Sequence, residues 1–156
     1  MSSHPTTDEV LGSILWTFEN QITPAIDDDF AVSAARTVTN LLRHVRARVQ
    51  LEGKGLAEDN AELRAVLGAV QIHPEVGPLM EVAAVLDAPP VAPEPWPSVE
   101  ALVDEAERLR LALDAVVRSG VVGSDASLAA RVDGYMARHL GREAQWAVDP
   151  FIGDRR

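Results

Sequence analysis

The sequence predicts an all-α protein, a bundle of four long antiparallel helices with one short extra helix and a Pro-rich strap, and three observations lead to it. Apolar residues recur every three or four positions along most of the 156-residue chain, and no stretch alternates as a half-buried strand does. The 47% hydrophobic content comes mainly from Ala, Val and Leu, with only 4% aromatic, which suits helices packed closely through small aliphatic side chains. Five of the ten prolines crowd between Ala88 and Pro97, where missing N–H groups and restricted backbone forbid both helix and sheet ladder. That stretch crosses the surface as a polyproline-like strap.

The elements follow in order. Thr6 with Glu9 fits a capping box, and Val10, Leu11, Ile14, Leu15, Phe18 and Ile22 then keep helical spacing until Pro24, giving a first helix over about 8–23. Asp27-Asp28-Asp29 caps a second helix with the stripe Ala31, Ala34, Ala35, Val38, Leu41, Leu42, Val45 and Val49, expected to pair antiparallel with the first. Gly53-Lys54-Gly55 is expected to turn the chain into a third helix, about 56–70, with Leu56, Leu63, Val66, Leu67 and Val70 on one face. Pro74 and Pro78 end it, and a short fourth helix runs from Pro78 to about Leu86. After the strap, Ser98 caps a helix whose stripe is Val99, Leu102, Val103, Ala106, Leu109, Leu113, Val116 and Val117, stopped by Gly120. Ser124 or Asp125 opens the last long helix, about 125–143, carrying Leu128, Val132, Tyr135 and Met136. We read one domain: a first helical arm over 1–87, the strap at 88–97, a second arm over 98–143, and a tail over 144–156 whose Trp146, Phe151 and Ile152 are apolar enough to dock.

Composition excludes several classes. A net charge of -10 repels phosphate backbones and anionic membranes, so neither nucleic acid nor membrane is an expected partner. The chain has no cysteine, which removes disulfides, thiolate catalysis and cysteine-ligated zinc. MSSHPTTDEV lacks the basic and apolar regions of a signal peptide, and no apolar run approaches membrane-spanning length, so the expected location is the cytoplasm.

Chemistry is sparse. On the last helix Tyr135, His139 and Glu143 share one face, readable as a proton relay or half of a metal site, or as a structural pair at a wet helix end. Asp59 and Asn60 fall on an apolar face and need partners; Arg43, His44, Arg46 and Arg48 could supply them as an anion pocket, or Arg43 lies on a solvated face with Arg36 and Asn40 while Asp59 and Asn60 sit at a frayed helix start. Gly53-Lys54-Gly55 is too short to specify a phosphate loop. No acid stands three residues before any of the four histidines, so a carboxylate-bridged di-iron bundle is rejected, and no metal or cofactor is expected. His44 is a poor match to a phosphotransfer histidine. Trp16, Trp96 and Trp146 all lie off the main stripes, where tryptophan marks an interface or covers a core. Ala126, Ala130, Ala137 and Gly141 form a small-residue ridge opposite Tyr135.

The segments QITPAI, AARTVTNLLRHVRARVQLE, AEDNAEL and AQWAVDP resemble a family of small bacterial helical proteins of unassigned function, often encoded beside aminoglycoside-phosphotransferase-like kinases and acyl-CoA dehydrogenases. The resemblance implies an association with acyl-CoA or small-molecule kinase metabolism and carries over no site residue. Thirteen arginines against the single Lys54 agree with a bacterial source of high GC content. The expected function is non-catalytic: protein contacts, as a homodimer or accessory subunit. The alternative is a ligand or enzymatic pocket around His139, Tyr135 and Glu143, with Arg43 or Asn60 opposite.

Overall fold

The computed structural model describes residues 5–71, 79–91 and 96–145. Among them the only regular structure is helical. The all-α class is therefore correct. α1 spans Thr7–Thr17 and opens with the expected capping box, in which Thr6 Oγ1 accepts from the Glu9 N–H and Glu9 accepts from the Thr6 N–H. A π-turn at Phe18–Ile22 and a 3-10 turn at Thr23–Ala25 prolong it to Pro24 and just beyond. Asp28 caps the next helix by accepting from the Ala31 N–H at 2.7 Å.

That helix, α2, is where sequence and structure part. It runs unbroken over Asp29–Gln71, 43 residues, straight through Gly53-Lys54-Gly55. The expected turn is absent because nothing there calls for a left-handed residue; among the described residues the only glycine with positive φ is Gly120. Lys54 instead makes an i,i+4 pair with Glu58 at 3.7 Å, a helix-register contact. Gly53 faces Trp96 and Val99, and a Cβ placed on it would lie 3.8 Å from the Trp96 indole nitrogen. The second and third expected helices are thus one.

The remaining elements fall close to expectation. α3 is Met80–Asp87, α4 is Val99–Arg118 with Ser98 as its cap, and α6 is Ala126–Ala144 with Asp125 accepting from the Leu128 N–H. A single turn, α5 at Val121–Ser124, follows Gly120, whose φ of 79° makes the sharp exit from α4. Ala88–Val91 and Trp96–Pro97 are outside any helix, as the prolines require. Trp146, Phe151 and Ile152 of the expected docking tail lie outside the described residues, as does the Pro74–Pro78 break.

Two compact units share α2, and the division falls within that helix after Leu51. The second unit, Glu52–Ala144, holds the main core: Leu63, Leu67 and Val70 of α2, Val82 and Val85 of α3, Leu109 and Val116 of α4, and Leu128, Val132 and Tyr135 of α6. The first unit is thin. Among its described residues only Leu15, Ala35 and Thr39 are buried, while Val38, Leu41, Val45 and Val49, expected in the core, are exposed. Their stripe has the right period but no covering element among the described residues.

Two substitutions test this. Leu109 is fully buried, so Leu109→Ala should cost about 2–5 kcal/mol in a denaturant melt through lost transfer energy and a residual cavity. Gly53→Ala should stabilise by about 0.5–1 kcal/mol, since alanine favours a helix interior and the new methyl meets only ordinary contacts. Destabilisation by Gly53→Ala would restore the turn.

Candidate functional site

In the second unit the polar residues of α2 face two ways. Asp59 and Glu62, three apart, point toward α6; Asn60 and Arg64, four apart, point toward α3 and α4. Each pair anchors one buried network.

The first network centres on the Asp59 carboxylate, 4% exposed. Oδ1 accepts from Arg142 Nη2 at 2.6 Å and lies 3.0 Å from His139 Nδ1; Oδ2 accepts from the Tyr135 hydroxyl at 3.1 Å, with the Arg110 guanidinium 3.6 Å away. Tyr135, His139 and Arg142 fall on one face of α6 because they are spaced four and three apart. The Tyr135 and His139 rings stack, with centroids 5.9 Å apart and planes within 22°. Glu62 joins through Arg138 and through Arg142 Nη1 at 2.8 Å. Glu143 stands at the margin, half-exposed, 3.9 Å from His139 Nε2.

These contacts decide the charges. Burial alone would raise the Asp59 pKa, but the hydrogen bonds from Arg142, His139 and Tyr135 outweigh it and hold the carboxyl below its ordinary value. Glu62 is likewise held low, burial being outweighed by Arg138 and Arg142. Burial would lower Arg142, yet its two carboxylate partners raise it, so it stays cationic. Tyr135 is pushed up to about 12 by burial and by the neighbouring Asp59 charge, so it remains a donor. Since ionised Asp59 can only accept, His139 Nδ1 carries the proton between them.

The second network is built on Glu105, 3% exposed within the apolar stripe of α4. It accepts from Arg64 Nε at 2.7 Å and from Asn60 Nδ2 at 3.3 Å. Asn60 Nδ2 also donates to the Leu102 carbonyl at 2.9 Å, and Arg64 Nη1 donates to the carbonyls of Val85 and Ala88. Arg64 thereby satisfies the end of α3 and the first residue of the strap. Asn60 Oδ1 and Arg142 Nε are buried with no hydrogen-bond partner among the described residues. For the Asn60 oxygen the reason is orientation: two acceptors already claim its amide nitrogen.

The site residues expected from sequence are thus distributed among three places. Tyr135 and His139 meet on Asp59, with Glu143 beside them; Asn60 belongs to the Glu105 network; Arg43 sits in the first unit, donating to Glu19 at 2.5 Å and to Asn40 at 3.1 Å. The partners of Asp59 and Asn60 come from α6 and α4 instead of the basic run Arg43–Arg48, and neither residue is at a frayed helix start. Arg142, Arg64 and Glu105 were missed. Each could have been found by the same signal that singled out Asp59, a charged residue in register with an apolar stripe.

In the first unit a cleft of about 610 Å³ is lined by Asp8, Gly12, Trp16, Glu19, Arg43 and Arg46 among others. Arg46 forks to both Asp8 oxygens at 2.7 and 2.8 Å, and these bonds lower the Asp8 pKa and raise that of Arg46. Its charges are mutually paired. Trp16 is 56% exposed here and Trp96 is 69% exposed, while Trp146 is outside the described residues. Among the described residues no group of three His, Asp or Glu side chains is placed to hold a metal ion, and no helix is long and apolar enough to cross a membrane.

Comparison with protein-family models, with curated proteins and with solved structures returned no match. The chemistry of the Asp59 cluster is that of a lock. Its carboxylates are held by the Arg142 Nη groups, Arg138, His139 and the Tyr135 hydroxyl, with only Arg142 Nε left without a partner among the described residues, and these bonds fix α6 on α2.

Removing one partner of such a cluster leaves a buried uncompensated charge. Asp59→Asn should therefore cost about 3–5 kcal/mol, and Tyr135→Phe about 1–2 kcal/mol, in denaturant melts. The pH dependence has a definite sign. Asp59 and Glu62 bind fewer protons folded than unfolded, so their contribution is complete above the unfolded carboxyl values near 4 and is lost as pH falls below those values through the lowered folded ones. Acid melts of Asp59→Asn should show a flatter decline than wild type over that window.

Proposed function

We propose that this protein acts through protein contacts, as a homodimer or an accessory subunit, and that its working surface is the exposed apolar stripe of the first unit. The observation that carries the reading is on α2, where Phe30 is 84% exposed, Leu41 59%, and Val38, Val45 and Val49 39 to 49%. On α1, Val10 and Ile14 are exposed one turn apart. Scattered apolar side chains need no explanation, but a continuous stripe along about five turns of helix marks a contact surface. Contact through Trp16 is a separate matter: Trp16 stands 200° around α1 from Ile14 and lines the cleft.

A cytoplasmic setting suits the acidic, cysteine-free chain. The resemblance to the bacterial helical family would place the partner in acyl-CoA or small-molecule kinase metabolism. The pocket alternative has less support, because the groups on Asp59 are occupied by one another.

The test is cross-linking of the full chain in cells that express it, beside a Val38→Glu, Leu41→Glu variant. Both positions are exposed, so the variant should keep its helical circular dichroism and its melting midpoint, with a surface change within about 0.5 kcal/mol for each. Wild type should give cross-linked complexes that the variant lacks. Complexes that persist unchanged in the variant, or a wild type found only as monomer, would overturn the proposal.

A further inference from the structure

We infer that the segment after α6, residues 146–156 of the same chain, lies along the exposed stripe of α2 and covers it, so that a partner reaches the stripe only by displacing this tail. The inference rests on the reading of the stripe as a contact surface and adds what regulates access to it.

The direction of the chain leads there. α4 runs parallel to α2, since Gly53 faces Trp96 and Val99 while Asn60, two turns further on, bonds to Leu102 and Glu105. After the reversal at Gly120, α6 returns the opposite way, and its Tyr135 comes back to the Asp59 oxygen that Arg110 of α4 also approaches. α6 is therefore antiparallel to α2 and advances toward the start of that helix. His139 marks the level of Asp59, and α6 ends five residues later at Ala144, which corresponds to the level of Lys54 on α2. The unit that holds the stripe takes up the chain again at Gln145.

The face is the right one as well. Leu41 and Asp59 are eighteen residues apart, five full turns at 3.6 residues each, so they share one side of α2. Phe30, Ala34 and Val45 stand within about 40° of that side at 100° per residue. The side that α6 occupies at Asp59 is thus the side that lies bare from Phe30 to Val45. A segment continuing from α6 meets the stripe without crossing to another face.

The content of the segment matches what it meets. It reads WAVDPFIGDRR, with Trp146, Val148, Phe151 and Ile152 to bury, and Pro150 favours an extended path over a helical one. An extended residue advances about 3.3 Å against about 1.5 Å for a helical one. Laid along α2 from the level of Lys54, the segment brings Trp146 beside Val49, and Phe151 and Ile152 beside Val38 with its neighbours Ala34 and Leu41. Arg155 and Arg156 then come level with the acidic turn Asp27-Asp28-Asp29. Apolar residues meet the stripe, and the two arginines meet the acids at its far end.

The chain has no cysteine, so a single introduced thiol reports on one place. Leu41→Cys and, separately, Val45→Cys in the full chain are alkylated with neutral iodoacetamide, beside Leu111→Cys on α4, a position 68% exposed, as the reference. Both stripe thiols should react about tenfold more slowly than the reference, as a place that opens only locally does. Adding Phe151→Asp, Ile152→Asp should raise them to the reference rate and leave Leu111→Cys unchanged. Equal rates with the native tail, or slow rates that the double substitution does not raise, would overturn the tail as cover. Protection that grows with protein concentration would give the face to a second copy and overturn it too. Displacement is read by cross-linking in cells, where the chain with Phe151→Asp, Ile152→Asp should yield several-fold more complexes than wild type; an equal yield overturns that part. Thiol protection is measured with no partner present, so the cover stands or fails separately from the contact surface, which the Val38→Glu, Leu41→Glu variant tests.

Discussion

An ionised carboxylate sealed among apolar side chains is stable only where cations and donors converge on it, and Asp59 sets that requirement for the whole second unit. It receives Arg142, His139 and Tyr135 from α6 in one shell. Each of those bonds needs α6 at one height and one rotation on α2, so a single charge fixes the register between two long helices that apolar packing alone would let slide. Glu105 plays the corresponding part on the other side, where Asn60 and Arg64 bind α4 and the end of α3. Buried charge in this protein is spent on position.

The two halves of α2 solve different problems with the same local code. Beyond Glu52 the helix has α3, α4 and α6 against it and buries Leu63, Leu67 and Val70. Before Leu51 it has α1, and the ties between them are salt bridges from Arg43 and Arg46, half-exposed and open to screening by salt. One helix therefore carries a finished core along one part of its length and an unfinished one along the other.

Reading the chain worked best where a local signal had a local cause. The Thr6 capping box, the Ser98 cap, the Gly120 stop and the stripe of Leu102, Leu109 and Val116 depend on neighbours within a turn or two, and all appear where expected. It failed at Gly53-Lys54-Gly55, where two glycines looked like a turn but the Lys54 to Glu58 pair and the indole of Trp96 lie along an intact helix. Asp59 and Asn60 were visible as polar intrusions into an apolar face. Their partners were not, because Arg142 lies 83 residues away from Asp59 and Glu105 lies 45 from Asn60.

By itself, then, the sequence determined the helical class, the helix ends set by caps and prolines, and the apolar period of each stripe, since these depend on backbone geometry and contacts within about one turn. Only the tertiary structure decided which stripes are buried, which acids meet which bases, and that α2 is continuous. Periodicity states that a face is apolar, but whether another element covers it depends on the path of the entire chain. That is why the stripe from Phe30 to Val49 and the stripe from Leu63 to Val70, alike in pattern, end in opposite surroundings.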